Sequence, residues 1–569
     1  MGNRLRSLLN QIYDGQRAEA LAERIEARLA RTQRPTRRTA RWRPSDVALI
    51  TYADAFRADG QPALSCLRQF LRTWLPGLVQ QVHLLPFFPY TSDDGFAVSD
   101  YRAVDAPHGT WDDVDALSQD CELVFDLVIN HASSAHGLFA DFLADRAPGN
   151  AYFLTAPKGT DVSQVTRPRA SDLLQEYETT SGPKQVWCTF SRDQVDWDFQ
   201  NPDVLAEFVD IFVTYIERGA TWVRLDAIAY LWKELGTDCV HLPQTHAVVK
   251  LLRWIAETLS TDLKILTETN VPLAENLSYF GDGDEAHIVY NFSLPPLLTH
   301  ALVTGCGRHL TAWCQSLPTL PSGCTYLNFT ASHDGIGLRP AEGILDDAEL
   351  GQLVDCVQRF GGLLTQRRRS DGSLSPYEAN ISLFAACKGT VEGEDDWQVE
   401  RFLVSQGVML AMAGVPALYY NSVLAAPNYV EGFAETGRNR TLNRRKWTLD
   451  EVSERFDDPH GAPRQVLAGL SQMIEVRRAQ PAFHPEASQT CLTIDEGLFV
   501  LRRQSTTEGQ TILCLFNLTA DSIRVPSEGL GIGPVETSDM LYSRGTVTHD
   551  ENAMMLSPYA IHWRVLPPG

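Results

Sequence analysis

The run 221-TWVRLDAIA-229 is apolar for most of its length, yet it carries Arg224 and Asp226 two residues apart. In a strand, residues i and i+2 emerge on the same face. A run this apolar fits a strand buried on both sides, as in a parallel sheet covered by helices. Its two charges then sit at the carboxyl end of a buried strand. Burying a carboxylate is expensive unless it is paired or used.

Seven further runs share this character: 47-VALITYAD-54, 82-VHLLPF-87, 122-ELVFDLVIN-130, 264-KILTET-269, 286-AHIVYNF-292, 324-CTYLNFTASHD-334 and 414-GVPALYY-420. Helical patterns lie between most of them, for instance over 202–217 and 246–259. Eight such units predict an α/β fold, a (β/α)8 TIM barrel. Several runs end in polar groups: Asn130-His131, Asp226, Glu268 and His333-Asp334. These are carboxyl strand ends, where barrels place their chemistry.

Outward from the barrel, residues 5–32 read as one amphipathic helix through Leu8, Leu9, Ile12, Leu21, Ile25 and Leu29, with a linker from Pro35. The expected organisation is an N-terminal helical extension over 1–45 and a barrel over 46–131, 201–334 and 389–482. Inserted domains would occupy 132–200 and 335–388 on the catalytic face. Alternating runs such as 498-LFVLRR-503 and 511-TILCLFNL-518 predict a C-terminal antiparallel β-sandwich over 483–569.

The chain has 569 residues, 44% hydrophobic, with a formal charge of −22. So acidic a surface excludes nucleic acid and anionic membrane as partners. Residues 1–44 run the other way, with eleven Arg against four acidic residues, a net +7. That segment has two docking surfaces open to it, the acidic barrel or a neighbouring subunit. It has no apolar core and reads as neither signal nor transit peptide. No run is long enough to span a membrane. The 11 Cys are scattered without C-x-x-C pairs, which fits reduced thiols in a cytoplasmic protein.

Three carboxylates, Asp226, Glu268 and Asp334, would converge at the barrel mouth. Converging acids raise one another's pKa and separate into acid and base roles. Arg224 would hold Asp226 ionised, although a purely structural ion pair fits the same spacing. Glu268 fits a solvated loop acid equally well. His131 and His333 fit either sugar hydroxyl binding or structural hydrogen bonding.

The strings 126-DLVINH-131, 222-WVRLDAIAY-230, 266-LTET-269 and 329-FTASHDGIG-337 resemble, in order, the four short signatures of the α-amylase superfamily. Longer stretches resemble its sucrose phosphorylase branch: 84-LLPFFPYTSDDGF-96, 233-KELGT-237, 290-YNFSLPPLL-298 and 438-RNRTLNRRK-446. The resemblance implies a retaining phosphorylase that moves glucosyl from an α-glucoside to inorganic phosphate. Asp226 would be the nucleophile and Glu268 the acid/base, with Asp334 stabilising the transition state. Asp93, Phe96, His131, Arg224, His333 and Arg440 would hold the glucosyl ring, with Gln194 near Glu268.

Phosphate would meet Arg169 in 166-TRPRA-170. The acceptor side departs from sucrose-specific members. It reads 375-SPYE-378, with Tyr377 and Glu378, and 335-GIGLRPAEG-343, with Arg339. These features are closer to the glucosylglycerate and glucosylglycerol phosphorylases of the branch. Alternatives are a sucrose or sucrose 6-phosphate phosphorylase, an α-glucosidase or transglucosidase, and, remotely, a non-catalytic sugar-binding barrel. Asn130 matches a calcium-binding position of amylases, but the branch generally does without the ion. No metal and no organic cofactor are expected.

Overall fold

A computed structural model describes residues 2–32, 42–169, 171–259, 262–368, 374–507, 509–528, 530, 540–549 and 552–567. The linker expected from Pro35 lies outside them. Eight parallel strands close a barrel: β1 (Ala48–Thr51), β2 (Gln81–Leu84), β3 (Glu122–Val128), β4 (Ala220–Asp226), β5 (Lys264–Thr267), β6 (Ile288–Tyr290), β7 (Thr325–Phe329) and β8 (Val415–Tyr419). Each strand pairs with its sequence neighbours, and β8 closes onto β1. Most strand residues are buried, so the apolar runs are the barrel wall.

The excursion after β3 folds as a helix, Gly137–Leu143, and a three-stranded antiparallel sheet of Thr155–Ala156, Gly182–Trp187 and Leu174–Thr179. The excursion after β7 holds the helix Asp347–Arg359 against strands Ile336–Gly337, Leu374–Asn380 and Leu363–Arg368. Both rise from the carboxyl ends of barrel strands and wall the cavity described below.

The C-terminal region forms a five-stranded and a three-stranded antiparallel sheet. Leu498, Val500, Leu513 and Leu515 of the first face Val525, Met554 and Leu556 of the second across a small core. The other face of the larger sheet joins the main core through Phe499, Cys514, Phe516 and Trp563. Arg503 is buried at that seam, where it donates to the carbonyls of Ala411 (2.7 Å) and His484 (2.9 Å).

The N-terminal segment is two helices rather than one, α1 (Gly2–Leu9) and α2 (Gly15–Arg31). The apolar pattern skips eight residues between Ile12 and Leu21, and Asp14 takes the extended N-cap position of α2. Arg6 on α1 ties the hairpin to Glu19 (2.8 Å) and Glu26 (2.9 Å) on α2. The hairpin docks on the barrel helix α3 (Pro202–Glu217), where Arg28 meets Asp210 at 2.5 Å and Glu217 at 2.8 Å. The basic segment therefore covers acidic residues of its own barrel.

Candidate active site

Alternation along β4 carries Trp222, Arg224 and Asp226 up the inside of the barrel. Trp222 meets Trp42 edge-on, ring centroids 5.9 Å apart. Above it, Arg224 donates to Asp226 Oδ1 at 2.8 Å. Arg224 also bonds Asp126, its register partner on β3. His83 Nε2 lies 2.7 Å from the other oxygen of Asp126. The rings of Phe96 and Tyr290 flank the guanidinium at 5.6 and 5.8 Å. The cation is thus fixed from behind and presented to Asp226.

Glu268 follows β5. Its Oε2 accepts the N–H of Ala227 at 2.8 Å, and its Oε1 lies 3.7 Å from Arg224 Nη2. Ala227 is left-handed, φ 50°, a conformation that a side chain with Cβ holds only when its surroundings enforce it. Burial pushes both Asp226 and Glu268 upward. Arg224 opposes this in each, while Glu268 adds to the rise of Asp226 and Asp334 to that of Glu268. Arg224 sits closer to Asp226 (2.8 Å) than to Glu268 (3.7 Å), so it favours the charged form of Asp226 over that of Glu268.

Asp334 is the third acid. Burial works against its charge, but Arg440 and Arg444 beside it hold it below the usual carboxylate range. Arg440 is gripped from behind by Glu378, Nε–Oε1 3.1 Å and Nη2–Oε2 2.7 Å. His333 stacks on Phe96, centroids 5.0 Å and planes 7° apart. Burial holds His333 and His131 neutral, His131 pushed down to about 4. Buried His333 Nδ1 has no partner among the described residues, so it is free to meet a ligand hydroxyl.

One cavity gathers Asp226, Glu268, Asp334, Asp93, Phe96, His131, Arg224, His333, Arg440, Gln194, Arg169 and Tyr377. Gln194 sits against His131, with Nε2 3.1 Å from His131 Nε2. Two expected residues stand outside the lining. Arg339 is one, although the Tyr230 hydroxyl feels the charges of both Arg339 and Arg169. Glu378 is buried and spent on Arg440 and on the N–H of Gly335 (3.1 Å), because its strand pairs with Ile336–Gly337. The cavity also takes in Phe190, Tyr230 and Asn270. Phe190 and Asn270 lie on loops with no spacing signal, whereas Tyr230 ends the 222-WVRLDAIAY-230 string in a short 3-10 helix and was overlooked there. Arg444 and Asp126 were missed too, although both stand inside stretches quoted above.

The chain matches the α-amylase catalytic-domain family over residues 77–312. It is 44% identical to the glucosylglycerate phosphorylase of Spirochaeta thermophila over 525 residues, 91% of this chain and 89% of that one. The chain belongs to the α-amylase superfamily, in the branch that holds these phosphorylases. Its identity to the glucosylglycerate phosphorylase of Escherichia coli is 37% over 568 residues, 99% of this chain and 100% of that one. Among solved structures, the sucrose 6F-phosphate phosphorylase of Thermoanaerobacter thermosaccharolyticum superposes with a TM-score of 0.72 at 23% identity, covering 83% of this chain and 94% of that one. That last likeness concerns the fold.

In this phosphorylase the oxygens of Asn130 and Asp196 surround an internal ammonium. Lys233 Nζ lies 2.7 Å from Asn130 Oδ1 and 2.7 Å from Asp196 Oδ2, all three residues buried. Removing one partner of a buried pair strands the other charge, at about 3–5 kcal/mol. Lys233→Met is expected to lose that much stability by chemical denaturation, and Lys233→Met/Asp196→Asn to recover part of it. A single variant as stable as the parent would contradict this account.

Proposed function

We propose that the chain is a retaining phosphorylase that transfers glucosyl from glucosylglycerate to inorganic phosphate. One observation carries the reading. Asp226, held by Arg224, and Glu268, raised by burial, share a cavity that also receives Arg169, a guanidinium in no ion pair among the described residues. The acids supply displacement chemistry at an anomeric carbon, and the cation supplies a place for an anion.

In the first step an oxygen of Asp226 attacks C1. The bond from C1 to the glycerate oxygen breaks, and Glu268 gives its proton to that oxygen. The products are a β-glucosyl ester on Asp226, free glycerate and ionised Glu268. In the second step a phosphate oxygen attacks the same carbon, the ester bond breaks, and Glu268 takes the phosphate proton. Two inversions give α-glucose 1-phosphate and restore both acids. Asp334 stays ionised throughout and faces the positive charge that develops on the ring. The eleven Cys are all free thiols, which supports a reducing, cytoplasmic setting.

The test is release of α-glucose 1-phosphate from glucosylglycerate, glucosylglycerol and sucrose, each with phosphate present. Glucosylglycerate is expected to give the highest kcat/KM. Free glucose at a rate indifferent to phosphate would make the chain a hydrolase.

A further inference from the structure

The N-terminal hairpin reaches the back of the cavity wall through one side chain. Tyr13 stands in the turn between α1 and α2 and is 4% exposed. Its hydroxyl donates to the carbonyl of Phe199 at 2.7 Å. Its ring packs on the indole of Trp232, centroids 6.0 Å apart. Arg17 lies over the same ring and donates to the carbonyl of Gln200 at 3.4 Å. Gln200 in turn donates to the carbonyl of Lys233 at 2.9 Å. Around this point α1 packs on the helix Pro243–Thr258 and α2 on α3, so the hairpin spans the two helices that flank β4.

The two segments that meet Tyr13 both lead to the cavity. Phe199 closes the excursion after β3, five residues beyond Gln194, whose strand pairs with His131–Ser133. Trp232 stands two residues after Tyr230, which lines the cavity with Ala227. Past Trp232 the chain runs on to Asp238 and Cys239. The Asp238 carbonyl accepts the N–H of Thr166 at 2.9 Å, at the start of the loop that carries Arg169. Cys239 is buried against Leu173 and Trp187 of the same excursion. The Arg169 loop therefore rests on a segment rooted at Trp232, inside an excursion fastened at its exit through Phe199. Tyr13, Phe199 and Trp232 themselves stand outside the cavity lining. A phenol suits the junction, because its ring fills an apolar gap while its hydroxyl serves a buried carbonyl.

We infer that Tyr13 is a positioning residue: through it the N-terminal hairpin pins the exit of the first excursion to the segment after β4, and so sets where Arg169 stands relative to Tyr230 and the acids. This rests on the phosphorylase reading above, which gives Arg169 the anion. The acids have their own supports, Arg224 for Asp226 and Arg440 for Asp334. Loss of the pin should therefore tell on the anion and spare the glucosyl side.

α-Glucosyl fluoride separates the two sides, because its leaving group needs no acceptor site and no protonation. Tyr13→Phe keeps the ring and removes the hydroxyl. It is expected to raise KM for phosphate about 2- to 10-fold, the range of one hydrogen bond, with kcat for hydrolysis of α-glucosyl fluoride little changed. Tyr13→Ala frees both segments and should raise KM for phosphate about 100-fold, the scale of a misplaced group. A general folding defect would lower kcat in every assay and leave KM where it was, because unfolded molecules do not bind. Tyr13→Phe carries the test if Tyr13→Ala fails to fold. Wild-type KM for phosphate in the folded variants, or a fall in kcat alone, would overturn the proposal. A wild-type protein that forms no α-glucose 1-phosphate from any donor would instead bring down the phosphorylase reading, and this inference with it.

Discussion

Asp226→Ala is expected to abolish transfer, lowering kcat by at least about 10⁴-fold, as removing a covalent nucleophile does elsewhere. The loss should be equal with glucosylglycerate and with α-glucosyl fluoride, because in the proposed mechanism both form the ester on Asp226. Glu268→Gln should part the two donors. Fluoride leaves without a proton, so its release should survive far better than cleavage of the glycoside. The pH profile supplies the second signature. Glu268 is raised by burial and by Asp334, so glycoside cleavage falls as pH rises through its elevated pKa and the acid is lost. On the acidic side, rate falls as Asp226 takes up a proton and can no longer attack. With α-glucosyl fluoride that alkaline limb should already be absent in the wild-type protein, because its leaving group needs no proton. If Asp226→Ala released fluoride at the wild-type rate, another group would be the nucleophile.

Most of the barrel and the three acids were legible in the sequence for one physical reason. A strand buried on both sides must be apolar, so a charge at its end stands out against the run. Arg224, Asp226 and Glu268 are visible on those terms, and the eight apolar runs contain the eight strands. What was illegible depends on partners distant in sequence. Glu378 looked like an acceptor ligand because it matches one in position, yet Arg440, 62 residues on, claims its carboxylate. Arg444 reads as one of a cluster of arginines in 438-RNRTLNRRK-446. Its bonds to Asp93 and Asp94 span about 350 residues, a pairing no local pattern encodes. The N-terminal helix was misjudged differently. A period of 3.6 persists across a break if the two halves share a docking face, so only the eight-residue gap betrays the turn.

Arg169→Ala is expected to raise KM for phosphate and for glycerate together, each about 10- to 100-fold, the range of a charge-assisted hydrogen bond worth about 1.5–3 kcal/mol. Both anions occupy the same side of the glucosyl group, one leaving and the other arriving. A single cation at the cavity wall then serves them in turn, and each should compete with the other for the glucosyl enzyme. Arg169 suits this because it lines the cavity in no ion pair among the described residues, in a chain of net charge −22. Arg339 stands outside the cavity lining, so Arg339→Ala should give a smaller rise in both constants. The loss in Arg169→Ala should be at least about ten times larger in phosphorolysis than in hydrolysis of α-glucosyl fluoride, where water replaces the anion. Arg169→Lys should restore charge without the forked donors and recover only part of the affinity. A rise confined to phosphate would mean that glycerate is held elsewhere, and Arg339 would then be the group to test for its carboxylate. Unchanged constants for both anions would remove Arg169 from the acceptor site and leave the cavity without its anion ligand.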